Sequence, residues 1–547
     1  MKQFNPTSSK IAILEAKLKT AEEDLKNRVT QAKSKDEAYA ISKIKSNPAY
    51  FYRYAKRFSK SRSRIGPLKH PCGSVTADTK SMANILQEQF VSVFSDSSCQ
   101  DKDDPSFARS PFLLDNIEFN VALIEKAIEE ISLSSAPGED GFPSSLLKKC
   151  KSSLSLPIYL IWKHSFDTGV VPEIFKTQLI TPVFKKGSKL NPENYRPISL
   201  TSNLVKIFER VIRSQLVNFL ENHNLISNTQ HGFRKGRSCL SELLAHYDNI
   251  LDNINSSNSS TDVIYLDFAK AFDKVDHDLL LKKLSRYGIV GKLHSWIASF
   301  LKGRTQTVVV DGMKSFVSLV LSGVPQGTVL GPILFLLFIN DIETSLKHCK
   351  IRCFADDSRL LKSVVTTCDA ALLQEDLSNV VNWAKQNNML LNQKKFELLQ
   401  HNSNINSNLR QLPFVSYENC YFIDETDIEP SEHIVDLGVT IQQDLSFSIH
   451  IYDIVQKARN KLSWALSAFK SRSIDTICTL FKSMVRPILE YCCVLWNPYK
   501  VSEIMLIEGV QRTATSKVSS VAHLNYWDLD CLNSTSSPCK GDGRDTS

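Results

Sequence analysis

The sequence predicts an α+β fold, because patterns typical of strands and of helices follow one another along most of the chain. Short runs rich in β-branched and aromatic residues predict strands at 178–184, 262–268, 305–311 and 350–355. Longer runs with apolar residues at helical spacing predict helices at 201–221, 277–288, 326–342 and 370–390. Further helical patterns lie at 9–45, 119–131, 450–470, 473–487 and 501–516. No internal repeat is visible, so a repeat architecture is not expected.

The net positive charge of the chain is concentrated in its first 70 residues. The 547 residues carry a formal net charge of +8 and are 42% hydrophobic, which is enough apolar content for a buried core. Residues 1–70 contain 17 Lys and Arg against 6 Asp and Glu, whereas the remainder contains 49 against 52. The basic run 53–64 also contains Tyr and Phe, which suits contacts with nucleic-acid phosphates and bases. A solvated helix face followed by a basic linker would have the same composition.

Cysteine usage and hydropathy predict an intracellular protein without a membrane span. The 13 cysteines are scattered and odd in number, and their spacing fits neither a disulfide framework nor a zinc site. The polar N-terminus predicts that there is no signal peptide. The most apolar run, 331–339, is shorter than the roughly 20 residues that a transmembrane helix needs, and it predicts a buried helix instead.

Three carboxylates follow predicted strands. Asp267 ends one apolar run, and Asp356 and Asp357 end another. Acids at the ends of buried strands are unfavourable unless a cation neutralises them, and oxygen ligands of this kind suit Mg²⁺. The doublet fits the tip of a tight hairpin, with Asp356 as the direct bridging ligand and Asp357 as the secondary one. A surface turn that carries two solvated acids is the alternative.

The two runs that contain these acids belong to a longer series of short motifs along the chain. The motifs are APGEDG (136–141), TPVFKKG (181–187), NYRPISL (194–200), QHGFRKGR (230–237), LDFAKAFD (266–273), SGVPQGTVLGP (322–332), FADD (354–357), LNQKK (391–395) and DLGV (436–439). In this order they resemble the reverse transcriptase of non-LTR (LINE-type) retrotransposons, near the jockey-like elements. Each motif alone is modestly specific, whereas the ordered set leaves little room for chance.

The resemblance implies a right-hand polymerase with fingers, palm and thumb. The expected parts are a basic helical N-terminal extension (1–95), a linker with an N-terminal fingers extension (96–164), the reverse transcriptase domain (165–441), a helical thumb or connection (442–525) and an irregular tail (526–547). The resemblance further implies that the endonuclease domain of such elements is lacking. The departure from the family pattern after Tyr526 implies a truncated or frameshifted C-terminus.

The resemblance also assigns catalytic roles to particular residues. Asp267, Asp356 and Asp357 match the family's metal-binding triad, which implies two Mg²⁺ ions, with Mn²⁺ as a possible substitute. Lys395 matches a lysine that protonates the leaving pyrophosphate, although Phe396 replaces the threonine that usually follows it. The positions that match nucleotide-binding groups are Lys185, Lys186, Arg196, Phe272, Gln326 and Gly327.

Each nucleotide-binding position has a physical rationale. Arg196 and the two lysines lie in residues 176–237, which contain 11 Lys and Arg against 3 Asp and Glu and could attract a triphosphate. The ring of Phe272 would clash with a 2′-hydroxyl and so favour dNTPs, although a core aromatic residue is the alternative reading. The flexible backbone of Gly327 would allow a close approach to the nascent base pair.

These features favour an RNA-directed DNA polymerase that uses an RNA template, a DNA primer and dNTPs, located in the nucleus, the cytoplasm or both. A catalytically silent nucleic-acid-binding remnant of such an element is the alternative. An RNA-directed RNA polymerase, whose palm also uses paired acids, is a third reading that Phe272 disfavours. The sequence does not indicate the oligomeric state.

Overall fold

The computed structural model describes residues 8–58, 65–95, 109–257, 260–392, 395–401, 421–424 and 426–519. It divides into two compact units. The small unit comprises residues 1–63, 438–441 and 446–547, and the large unit comprises residues 64–437 and 442–445. The predicted tail and parts of the predicted linker and basic run lie outside the described residues.

Helices and strands alternate along the chain, so the predicted α+β class agrees with the structure. The helices are α1 (Ser8–Ser42), α2 (Pro48–Lys56), α3 (Thr79–Val91), α4 (Val121–Glu130), α5 (Ser144–Lys149), α6 (Lys151–Thr168), α7 (Asn203–Asn222), α8 (Cys239–Ser257), α9 (Ala271–Lys274), α10 (His277–Arg286), α11 (Gly291–Leu301), α12 (Gly331–Ile339), α13 (Thr367–Gln386), α14 (Ser448–Ala468), α15 (Ile474–Leu480), α16 (Arg486–Glu490), α17 (Cys493–Trp496) and α18 (Val501–Thr515). The strands are β1 (Leu68–Lys69), β2 (Val75–Thr76), β3 (Thr177–Phe184), β4 (Tyr195–Leu200), β5 (Ser260–Leu266), β6 (Thr305–Val310), β7 (Met313–Lys314), β8 (Ser318–Leu319), β9 (Lys350–Phe354), β10 (Asp357–Val364), β11 (Glu397–His401), β12 (Tyr421–Ile423), β13 (Thr426–Ile428), β14 (His433–Asp436) and β15 (Val439–Gln442).

Two sheets of the large unit position the polar residues singled out by the sequence. One sheet has the antiparallel strand order β11-β5-β10-β9, with Leu266 opposite Ser358 and Phe354 opposite Asp357. The other has the order β4-β3-β6-β7, with β8 paired to β6. In this second sheet, β3 and β6 are parallel, and β3 and β4 form an antiparallel hairpin.

The main hydrophobic core of the large unit is built from aromatic and aliphatic side chains of its helices and of the first sheet. Trp162 stacks on Phe208 with ring centroids 5.0 Å apart, and Trp296 meets Phe208 edge to face at 5.1 Å. Every residue of α12 except Pro332 is buried, which confirms that the most apolar run is a core helix. Among the described helices, none is both long enough and apolar enough to cross a bilayer.

Two helix predictions differ from the structure near prolines. The helix expected to begin at 326 begins at Gly331, because Pro332 fits the first helical turn, where its missing N–H costs no hydrogen bond. The helix expected over 473–487 is instead interrupted by a π-helical segment, Phe481–Val485, just before Pro487. A proline inside a helix removes one backbone donor, and a widened turn is a common accommodation.

Candidate active site

A single cavity of about 720 Å³ in the large unit collects most of the residues predicted from the sequence. Nine of the ten predicted site residues line it: Lys185, Lys186, Arg196, Asp267, Phe272, Gln326, Asp356, Asp357 and Lys395. The tenth, Gly327, does not line the cavity, although it follows Gln326 directly. The cavity therefore brings together acids, cations and an aromatic ring that are up to 210 positions apart in the chain (185 to 395).

The three acids lie at adjoining ends of β5 and β10. Asp267 directly follows β5, and Asp357 begins β10. Leu266 pairs with Ser358 at the end of the antiparallel ladder, so Asp267 and Asp357 directly adjoin the last paired residues of the two strands. Asp356 lies in the two-residue turn between β9 and β10, which confirms the expected hairpin tip. Successive side chains of a strand point to opposite faces of a sheet. Because Asp356 is not in a strand, this alternation does not distinguish the roles of Asp356 and Asp357.

The surroundings of the doublet disfavour two ionised carboxylates. Burial raises the pKa of Asp356, and the negative charge of Asp267 adds to the shift. Asp357 is exposed, yet desolvation by the surrounding protein raises its pKa to about 6, and repulsion from Asp356 contributes. Acids in this arrangement gain from a nearby cation, so their electrostatics match those of a cation-binding site.

A lysine of the chain already contacts one of the acids. The Lys395 ammonium donates a hydrogen bond to Asp267 Oδ2 at an Nζ to Oδ2 distance of 2.6 Å. The two side chains are 44% and 33% exposed, so the pair contributes at most about 1 kcal/mol to stability. Its location in the cavity, rather than its strength, is the notable feature.

The donor set fits a hard divalent metal ion in its chemistry. Asp267, Asp356 and Asp357 offer only carboxylate oxygens, the ligands that Mg²⁺ prefers, and the cavity leaves room for a substrate. Within the described ranges, no three His, Cys, Asp or Glu side chains are already gathered closely enough to hold a metal ion. The described part of the structure thus presents suitable ligands for such an ion.

The predicted triphosphate-binding cations lie where the β3–β4 hairpin closes. Lys185 follows β3, and its backbone N–H donates to the Asn194 carbonyl at 2.9 Å. Burial lowers the pKa of Lys185, and the positive charges of Arg196 and Lys395 lower it further. Three cations close enough to influence one another would favour a ligand with several negative charges.

The Phe272 ring packs against the hydrophobic core and also lines the cavity. Its ring stacks on Phe335 with centroids 4.3 Å apart and meets Phe233 edge to face at 6.1 Å. The ring is half-buried and also lines the cavity beside the acids. The two readings of Phe272, a core aromatic residue and a contact for the nucleotide sugar, are therefore compatible.

The loop that contains Gln326 is fixed on both sides. The Gln326 side-chain amide donates to Asp273 Oδ1 at 2.8 Å, and the Gln326 carbonyl accepts from the Ser199 N–H at 2.7 Å. Burial raises the pKa of Asp273 to about 6. Gly327 has φ +111°, and a Cβ there would lie 2.6 Å from the Ser199 carbonyl oxygen. Glycine is therefore required by both conformation and space.

A clamp on the acidic turn was not predicted as part of the site. Ala355, which precedes Asp356, has φ +59°, a left-handed conformation that costs a non-glycine residue about 1–2 kcal/mol. The buried Gln230 amide holds this residue: its Oε1 accepts from the Ala355 N–H at 2.9 Å, and its Nε2 donates to the Ala355 carbonyl at 3.3 Å. The Gly232 N–H donates to the same Oε1 at 2.8 Å. The QHGF motif quoted above was the available signal.

A buried charge network behind the doublet was also missed. Arg359 lies two residues after Asp357 on β10 and is 1% exposed. Its Nη1 donates to Glu242 Oε1 of α8 at 2.9 Å, and its Nη2 donates to Asp436 of the DLGV motif. Burial alone would lower the pKa of Arg359, but the two acids outweigh burial and raise it, while burial raises the pKa of Glu242 to about 7. Sequence patterning does not identify such pairs, because it does not show which charged residues are buried.

Replacement of Gly232 by alanine is expected to impair the site. A Cβ at this position would lie 2.3 Å from the Ala355 backbone nitrogen, so the turn that carries Asp356 must move. We expect a loss of stability of about 1–3 kcal/mol and a larger fractional loss of the polymerase activity that the sequence resemblance implies. Denaturation curves and primer extension measure the two effects. Gly66→Ala is the matched control, because its nearest new contact is at 3.8 Å, and an equal loss in both variants would contradict the clamp.

Comparison with known proteins identifies a family and several relatives. Residues 183–428 match the family model described as reverse transcriptase (RNA-dependent DNA polymerase). The RNA-directed DNA polymerase from mobile element jockey of Drosophila melanogaster is 28% identical over 489 residues, which are 86% of this chain and 52% of that protein. The probable RNA-directed DNA polymerase from transposon X-element of the same species is 28% identical over 402 residues, covering 72% of this chain and 43% of that protein.

A further relative matches a shorter part of the chain. The retrovirus-related Pol polyprotein from type-1 retrotransposable element R2 of Popillia japonica is 28% identical over 274 residues, which are 48% of this chain and 36% of that protein. The chain spans about half the length of the jockey polymerase. The resemblance drawn from the ordered motifs is confirmed: the chain carries a reverse transcriptase domain and is a homologue of the RNA-directed DNA polymerases of jockey-like non-LTR retrotransposons.

Proposed function

We propose that this chain catalyses RNA-directed DNA synthesis, adding dNTPs to a primer 3′-hydroxyl on an RNA template. The observation that carries the proposal is the joint placement of Asp267, Asp356 and Asp357 with the cations of the β3–β4 hairpin in one cavity. A reverse transcriptase domain implies the right-hand polymerase fold. We place the fingers and palm within residues 165–441, the thumb helices within 442–525 and a nucleic-acid-binding extension within 1–95.

The chain's own residues would bind and orient the substrate. Arg196 offers a planar fork of donors for phosphate oxygens, and Lys185 and Lys186 add positive charge at the same end of the cavity. The Phe272 ring would lie against the sugar and leave no room for a 2′-hydroxyl. Lys395 would donate a proton to the leaving pyrophosphate once its hydrogen bond with Asp267 is released.

Asp267, Asp356 and Asp357 would hold the divalent metal ions that reverse transcriptases generally use. Bound there, two Mg²⁺ ions, or Mn²⁺ in their place, supply Lewis acidity to the attacking hydroxyl and to the departing phosphate oxygens. The raised pKa of Asp356 and of Asp357 is consistent with this role, because a cation would favour their ionised forms.

Replacement of Phe272 by alanine is expected to relax sugar discrimination. Removal of the ring opens space beside the sugar, so we expect dNTP over rNTP selectivity to fall by about 10- to 100-fold. Single-nucleotide incorporation with matched dNTP and rNTP measures the ratio. Phe316→Ala is the control, because Phe316 is 43% exposed and does not line the cavity. Unchanged selectivity in Phe272→Ala would contradict the sugar contact, and efficient rNTP use by the wild type would favour the RNA polymerase reading.

The catalytically silent alternative is tested by measuring binding and synthesis on the same preparation. Filter binding of an RNA–DNA primer-template across a salt series reports the number of phosphate contacts. Primer extension on the same duplex reports catalysis. Binding with a steep salt dependence together with extension supports the polymerase, whereas the same binding without extension supports the silent remnant.

A further inference from the structure

Helix α1 presents an uncovered apolar stripe. All residues from 13 to 35 are exposed, including Leu14 at 63%, Leu18 at 60% and Leu25 at 63%. A surface helix ordinarily buries such a stripe against its own domain. In the described part of the chain, this stretch of α1 has no such cover.

The C-terminal end of α1 is fixed within the small unit. Tyr50 of α2 donates to Asp36 Oδ1 at 2.7 Å, and Arg57 Nη1 donates to Asp36 Oδ2 at 2.8 Å. Tyr39 packs edge to face on Tyr50 with ring centroids 5.1 Å apart. The helix is therefore held at one end, and its apolar stripe lies in the part that extends away from these contacts.

The spacing of the stripe is that of a coiled-coil seam. Leu14, Leu18, Ala21 and Leu25 follow one another at steps of four, three and four residues, which are alternating d and a positions of a heptad repeat. Val29 continues the stripe after a further step of four residues, where an uninterrupted heptad repeat would have a step of three. Coiled coils accommodate such an additional four-residue step by local unwinding.

The charge of α1 argues against a nucleic-acid partner for this helix. Residues 8–42 contain 7 Lys and Arg against 6 Asp and Glu, so the helix is nearly neutral. Residues 43–70 contain 9 Lys and Arg and no Asp or Glu. The basic character of the N-terminal region therefore lies after α1, and the predicted phosphate contacts belong there.

We propose that α1 pairs with α1 of a second copy of this chain in a parallel coiled coil. Lys17 occupies a g position, and Glu22 occupies the e position five residues further on. In a parallel pair, Lys17 of each copy meets Glu22 of the other, which gives two attractive contacts. An antiparallel pair would instead bring the e flank, with Glu15 and Glu22, against itself.

The oligomeric state of the full chain tests the seam. After nuclease treatment, light scattering coupled to size-exclusion chromatography at micromolar concentration should give a dimer for the wild type. The variant Leu18→Asp with Leu25→Asp should give a monomer, because it buries charges in the seam. Ala16→Asp with Thr30→Asp carries the same charge change on the opposite face and should remain dimeric. A monomeric wild type, or a dimer that survives the leucine substitutions, would overturn the proposal.

Charge exchange and cross-linking test the parallel register without removing apolar residues. Lys17→Glu and Glu22→Lys should each weaken the homodimer, and mixing the two variants should restore a heterodimer. Ala21→Cys should form a reducible dimer with oxidised glutathione, because position 21 meets its own copy in a parallel pair. Thr30→Cys on the outer face is the control. Failure of mixing, or equal cross-linking at both positions, would overturn the parallel pairing.

Discussion

Replacement of Asp356 by asparagine is expected to reduce primer extension by about 1,000-fold or more. Asparagine keeps the size of the side chain and removes its negative charge, so binding of divalent metal ions at the turn should weaken sharply. The same change relieves repulsion with Asp267 and Asp357, so the folded state should be as stable as the wild type or slightly more stable. Extension assays and denaturation curves on the same preparations separate these two effects.

The control for this substitution is Asp248→Asn. Asp248 is an exposed acid on α8, so its replacement removes the same charge from the large unit. We expect full activity for this control and unchanged primer-template binding for both variants. Retention of most of the extension activity by Asp356→Asn would contradict the assignment of the acidic turn.

Replacement of Arg359 by methionine is expected to destabilise the protein by about 3–5 kcal/mol. The substitution leaves Asp436 buried without its guanidinium partner and leaves Glu242 with only the more distant Arg352, whose Nε lies 3.6 Å from Glu242 Oε1, and water does not reach either acid freely. Because Arg359 lies on the same strand as Asp357 and also contacts the strand that leads into the DLGV motif, polymerase activity should fall as well. Chemical denaturation followed by tryptophan fluorescence measures the stability change.

A compensating variant identifies the cause of the stability loss. Combining Arg359→Met with Glu242→Met and Asp436→Asn removes all three charges, and we expect it to be more stable than Arg359→Met alone. Lys302→Met is the matched control for loss of a cation, because Lys302 and Asp278 form an exposed pair and the expected cost is at most about 1 kcal/mol. A triple variant less stable than Arg359→Met would show that the network does more than neutralise its own charges.

The sequence was sufficient to predict the strands that carry the site and the acids at their ends. Apolar runs ending in Asp267 and in the Asp356–Asp357 doublet are local patterns, and they appear as β5 and the β9–β10 hairpin. The grouping of these acids with Lys395 came from the family resemblance, because no local pattern relates residues 128 positions apart.

The roles of the residues that support the site could not be predicted from hydropathy or local patterns. Gln230 acts through two hydrogen bonds to a left-handed residue, and neither that backbone conformation nor the approach of the two segments is encoded in hydropathy. Arg359 has the composition of an ordinary surface cation, and only the packing of α8 and β14 against β10 makes it a buried one. The start of α12 was misplaced because apolar residues before Gly331 continue the helical pattern into a loop.

The most direct test of the proposed function is single-turnover incorporation of one dNTP by the wild-type chain. The substrate is a DNA primer annealed to an RNA template, with Mg²⁺ present and then removed by a chelator. We expect extension by one nucleotide that requires the metal ion, is lost in Asp356→Asn and persists in Asp248→Asn. Tight binding of the duplex by folded wild-type protein without any extension would contradict this expectation.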